Sequence, residues 1–223
     1  MSGLILENPR LLLLLEHFNM DFTVGDQTIA HLCREHKIPG SLFLVFANLY
    51  NGFIPRQEDT LSESDVPAII GFLKNSHHYY KYDKYPEIIG YIRALLPSSK
   101  NNEVRLIEQF FNGYFDEVLE HLDYEENVAF PYFTSLIGRT NSAFDSDFAA
   151  KDYRDHHTDI ETKLTDLKNL LLKHIHIAGE LSIRRKLILS LLELEFDLYT
   201  HALIEEKILL PLIDSAEKGR KNG

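Results

Sequence analysis

Two segments eighty residues apart carry one pattern: His121-Leu-Asp-Tyr-Glu125-Glu126-Asn-Val-Ala-Phe-Pro131 and His201-Ala-Leu-Ile-Glu205-Glu206-Lys-Ile-Leu-Leu-Pro211. Both read His-x-x-x-Glu-Glu-x-x-x-x-Pro. Upstream of each stands a histidine pair, His77-His78 and His156-His157, seventy-nine residues apart and so in nearly the same register. A recurrence of this kind marks a duplicated structural unit. It restricts the chain to folds in which one helical hairpin occurs twice.

The periodicity of the surrounding sequence agrees. A helix is predicted from Ser64 or Asp65, with Pro67 in its first turn, through Ile70 and Leu73 to about Leu96. Pro86 should kink it, because proline has no N–H to donate and its ring crowds the preceding turn. A second helix carries Val104, Leu106, Ile107, Phe110, Phe111, Phe115, Val118 and Leu119 on an apolar stripe and runs to about Ile137. After a Ser/Thr/Asn/Asp-rich loop over 138–148, a third helix is expected from about Ala149 to Lys173 and a fourth from Ser182 to Asp214. Short connections force neighbouring helices to alternate in direction. The expected fold is therefore all-α: an antiparallel up-down four-helix bundle over residues 66–216. A small N-terminal helical domain over 1–53, with helices at Glu7–Phe18, Gln27–His36 and Ser41–Tyr50, should precede it. A polar linker over 54–65 joins the two, and 217–223 form a tail.

Residues four apart on a helix lie one turn apart on the same face. Each His-x-x-x-Glu therefore aims an imidazole and a carboxylate at one small volume. Two such helices, with one histidine from each of the others, would put four imidazoles and two carboxylates in the bundle centre, a set resembling the carboxylate di-iron bundles. Cys33 is the only cysteine, so thiolate ligation, iron–sulfur clusters and disulfide frameworks are excluded. Imidazole with carboxylate favours iron or manganese over structural zinc, although zinc can also occupy such sites. The expectation is two Fe ions sharing Glu125 and Glu205 as bridges, with an oxo or hydroxo bridge and exchangeable positions, Mn or Zn being the alternatives. Glu126 and Glu206, about 100° around the helix, should be solvated or stand behind the ligands.

Charge narrows the partners. A net charge of -11 supplies no basic stripe for a nucleic-acid backbone. The apolar run Leu11 to Leu15 is too short for a signal peptide core or a membrane span. A cytoplasmic protein with no nucleic-acid and no membrane partner is expected, and a homodimer or a protein client remains open.

At these residues the chain resembles the hemerythrin-like, or HHE cation-binding, family, and among its members the di-iron proteins that repair iron–sulfur centres after nitrosative or oxidative stress. The resemblance selects one histidine of each upstream pair: His78, eight residues before Pro86-Glu87, matches the first-helix ligand, and His157, within Asp155-His-His-Thr-Asp159, the third. It implies the metal ligands His78, His121, Glu125, His157, His201 and Glu205. It further implies that the centre binds or reacts with O2, NO or peroxide in stress defence or iron–sulfur centre maintenance. Any di-iron redox turnover needs an external electron donor, since the chain has no flavin or nicotinamide motif. A metal-responsive regulatory or interaction module without turnover is the alternative. Two departures stand out: no histidine lies between His78 and His121, where the repair proteins have one, and Thr23-Val24 stand where they have Cys-Cys.

Overall fold

A computed structural model describes residues 1–54, 61–96, 103–138, 153, 160–173 and 180–221. Every regular element among the described residues is helical. The helices are α1 (Ser2–Glu7), α2 (Leu11–His17), α3 (Ile29–Glu35), α4 (Gly40–Tyr50), α5 (Val66–Tyr79), α6 (Tyr85–Leu95), α7 (Glu103–Tyr124), α8 (Phe130–Ile137), α9 (Ile160–Lys173), α10 (Leu181–Ile204) and α11 (Leu210–Lys221). The linker core at 55–60, the 138–148 loop beyond Gly138, and His156 and His157 lie outside the described residues. No described helix is long and apolar enough to cross a membrane.

Two local findings differ from the sequence reading. The first concerns the start of α5, which is preceded by a 3-10 turn at Glu63–Asp65 capped by Ser62 rather than Ser64 or Asp65. The Ser62 N–H donates to the Asp65 carboxylate at 2.8 Å, a reciprocal cap that satisfies donors the helix start leaves open. The second concerns the prolines. Each of Pro86, Pro131 and Pro211 is the second residue of an α-helix that follows a five-residue π turn: Tyr80–Lys84, Glu125–Ala129 and Glu205–Leu209. A π turn widens the helix and omits one α-type hydrogen bond, so a residue without an N–H is accommodated there. The expected kink at Pro86 is thus a π turn, and the same device recurs at the other two prolines. At the far end, α11 continues to Lys221, past the expected start of the tail.

The chain forms two compact units, the first made of Met1–Ser76, Asn127–Arg154 and Thr200–Gly223, the second of His77–Glu126 and Asp155–Tyr199. In the first unit, α2 and α3 pack on α4, and α11 packs on α8 and on the capped 3-10 turn. Its core is aromatic. Phe72 of α5 lies 4.8 Å, centroid to centroid, from both Phe18 and Phe46, 5.2 Å from His17 and 6.5 Å from Tyr50. These edge-to-face contacts suit the ring quadrupoles, and each ring buries a large apolar area. The Asn75 side chain adds a hydrogen bond to the backbone carbonyl of His17, 2.8 Å away. Asn19, two residues past α2, and Lys37, two past α3, adopt left-handed backbone conformation, and the helix ends are closed by Met20 N–H to Leu15 C=O and Ile38 N–H to Cys33 C=O.

In the second unit, α6 packs on α7 and α7 on α9. α7 buries Val104, Ile107, Phe111, Tyr114, Phe115, Val118 and Leu122, one face of a 3.6-residue repeat. A polar network crosses this unit. The buried Lys84 ammonium meets Glu87 at 2.7 Å and Glu193 at 2.5 Å, while Ser190 and Tyr91 donate to Glu87 and Tyr79 donates to Glu193. Burial pushes the Glu87 carboxyl up, but the hydrogen bonds from Lys84 and Ser190 and the lysine charge outweigh it and hold Glu87 below its ordinary value of 4.5. A carboxylate so lowered stabilises the fold above its ordinary range, and that stability is lost as pH falls through the lowered value. Glu87→Gln should therefore cost about 1 kcal/mol at neutral pH, a figure limited by partial solvent exposure. Urea unfolding of both proteins should show the gap closing below the ordinary carboxylate range; a gap independent of pH would disprove the ionic origin.

Candidate metal centre

In the second unit, α5 and α7 bring three polar side chains together where an apolar core would be expected. His77 and Glu125 are completely buried and His121 nearly so. Glu125 opens the π turn, one helical turn after His121. Its two carboxylate oxygens are each faced by an imidazole: His121 Nε2 lies 2.9 Å from Oε1 and His77 Nε2 3.1 Å from Oε2. Behind His77, Nδ1 lies 2.9 Å from Glu126 Oε1, which also accepts from Lys81 Nζ at 3.2 Å, and Lys81 reaches Asp123 at 3.0 Å. The hydrogen bond from His77 overcomes burial and, with the nearby positive charge, holds the Glu126 carboxyl down to about 2. Glu126 is thus an anion throughout the physiological range.

In the first unit, the other copy of the motif repeats the geometry in part. His201 Nε2 lies 3.3 Å from Oε1 of the fully buried Glu205, which opens its own π turn. His201 Nδ1 is 2.8 Å from the hydroxyl of buried Ser76, which also bonds the Leu73 carbonyl at 2.7 Å. Glu206, unlike Glu126, is exposed and beside Lys207. One turn before His201, in the second unit, the buried Asp197 accepts from the Tyr80 hydroxyl at 2.9 Å.

The sequence reading chose His78, and the structure puts that side chain in solvent, its ring 4.6 Å from Tyr82. His77 takes the buried position instead. The reason is register: Val66, Ile70, Leu73 and Tyr80 are buried on α5 and the turn after it, and His77 continues that stripe while His78 lies about 100° off it. The buried stripe was present in the sequence and would have picked His77. His157 lies outside the described residues, so its position is not part of the observed geometry. Sequence reasoning also missed Ser76, two residues before the histidine it selected.

Buried carboxylates facing imidazole nitrogens at 2.9 to 3.3 Å require positive charge, whether ring protons or a bound cation, because two lone pairs would otherwise repel. The donors are nitrogen and oxygen without sulfur, the buried Cys33 belonging to α3, which fits iron, manganese or zinc. Among the described residues, His77, His121 and Glu125 of the second unit and His201 and Glu205 of the first belong to His/Glu groups that could hold a metal ion. No curated protein matches the chain. Residues 86–213, more than half of the sequence, match the hemerythrin HHE cation binding domain. The match takes in both His-x-x-x-Glu motifs, and on that extent the chain belongs to the hemerythrin HHE cation-binding family.

Proposed function

We propose that the protein is a non-haem di-iron protein of the cytoplasm that binds or reacts with O2, NO or peroxide in stress defence or iron–sulfur centre maintenance. The observation that carries this reading is the buried Glu125 carboxylate with an imidazole nitrogen on each oxygen, an arrangement suited to a carboxylate shared between two cations. The scaffold in this reading is an antiparallel four-helix bundle preceded by the N-terminal helical domain. Its ligands are His77 in place of His78, His121 and Glu125 from one repeat, and His157, His201 and Glu205 from the other. An iron pair supplies exchangeable coordination positions for a small ligand.

The protein's own contribution is a dry, preorganised site. Glu125 and Glu205 are held at the first residue of a π turn and buried, so their charge is available to a cation without competition from water. Metal analysis with an optical spectrum on protein expressed in iron-rich medium tests the reading. About two irons per chain are expected, as in other carboxylate di-iron bundles. Addition of NO or peroxide, with and without a reductant, then separates a carrier from an enzyme. Less than about half an iron per chain, with zinc or nothing in its place, would overturn the proposal.

A further inference from the structure

Imidazole has two nitrogens, and a neutral ring binds a cation only through the one that lacks the proton. Which nitrogen that is depends on the partner of the other. The structure gives that partner for two of the histidines, and in each case the chemistry allows one answer.

Ser76 has one hydroxyl proton. Its oxygen stands 2.7 Å from the Leu73 carbonyl, which can only accept, so the proton goes there. The same oxygen is 2.8 Å from His201 Nδ1 and has only lone pairs left to offer, so Nδ1 must be the donor. At His77 the partner is the Glu126 carboxylate, 2.9 Å from Nδ1, and an ionised carboxylate can only accept. Lys81 adds a second donor to the same oxygen and keeps Glu126 in place. In both rings Nε2 is the nitrogen that faces a buried glutamate, Glu205 for His201 and Glu125 for His77.

We infer that Ser76 and Glu126 are positioning residues that keep the proton of His201 and of His77 on Nδ1, so that both rings present Nε2 to a cation. The two rings reach this state by different means. Glu126, next to the motif glutamate, serves His77, whereas a serine of α5 serves His201, Glu206 being exposed beside Lys207. The metal-facing part of this inference rests on the cation-binding reading above, whereas the tautomer assignment does not.

The experiment uses the full-length chain with 15N-labelled histidine. In metal-free protein, long-range 1H–15N correlation spectra report whether each Nδ1 carries a proton, separately from any proton that Nε2 shares with the glutamate it faces, and anaerobic titration with ferrous iron gives the affinity. His201 Nδ1 should be protonated in the parent protein, partly deprotonated in Ser76→Ala, and protonated again in Ser76→Thr, which restores a hydroxyl. Glu126→Ala should do the same to His77 while leaving His201 unchanged. Each Ala variant should lose about 10- to 100-fold in iron affinity, the usual effect of removing a ligand's hydrogen-bond partner, and Ser76→Thr should recover most of it. An unprotonated Nδ1 on His201 in the parent, or a Ser76→Ala protein with unchanged Nδ1 protonation and affinity, would overturn the inference. If the parent binds no iron yet shows both Nδ1–H patterns, the cation-binding reading fails and the tautomer assignment stands.

Discussion

Protein in which Glu125 and Glu205 are both replaced by Ala is expected to bind no iron. The two carboxylates are fully buried, and they are the anions at which His77, His121 and His201 point their Nε2 atoms. Neutral imidazoles alone offer no charge to offset the dehydration of a hard divalent cation, and carboxylate is the donor that suits iron. Removing a hydrogen-bond partner behind a ligand commonly costs 10- to 100-fold in affinity, so deleting two anionic donors should cost well over about 100-fold. Iron per chain after desalting should fall to background. The metal-free fold should persist in far-ultraviolet circular dichroism, because buried anions oppose folding and their loss offsets part of the packing lost with them. A double variant that still carried two irons would sink the proposed function.

Phe72→Ala is expected to be the most damaging single truncation in the first unit. Phe72 is about 2% exposed and its ring meets those of His17, Phe18, Phe46 and Tyr50, so one side chain ties α2 and α4 to α5. Deleting a buried phenylalanine costs about 3–5 kcal/mol through lost transfer energy and the cavity left behind. A domain's total stability is roughly 5–15 kcal/mol, so a large part of it would go. The midpoint of urea unfolding should fall accordingly. A loss under about 1 kcal/mol would mean that the N-terminal helices are not held to α5 through this ring.

The parts of the molecule that were legible from sequence are those governed by local spacing. A histidine and a glutamate four residues apart must share a helix face, and His121 does meet Glu125 as His201 meets Glu205. The apolar stripe of α7 was readable in the same way at Val104, Ile107, Phe111, Phe115 and Val118, whereas Leu106 and Phe110, also placed on it, are exposed. Their exposure shows the limit of counting apolar residues without fixing a face. The choice between His77 and His78 needed that face as well, and a motif resemblance could not supply it. Ser76 was not legible at all. A serine hydroxyl finds its role from what folds against it, here a histidine 125 residues away.

The three π turns have a further consequence, for how this sequence can change over generations. An ordinary helix that loses one residue rotates everything beyond the loss by about 100°. In the turn Glu125–Ala129 such a loss would act differently: it would return the turn to α-helical pitch, leaving Phe133 and Leu136 close to their present face but setting the Pro131 ring against a carbonyl. The same holds for Glu205–Leu209 ahead of Pro211. Substitutions can accumulate between the glutamate and the proline, as Asn127 against Lys207 and Phe130 against Leu210 show. Insertions and deletions there cannot, so the spacing of this motif should outlast most of its letters.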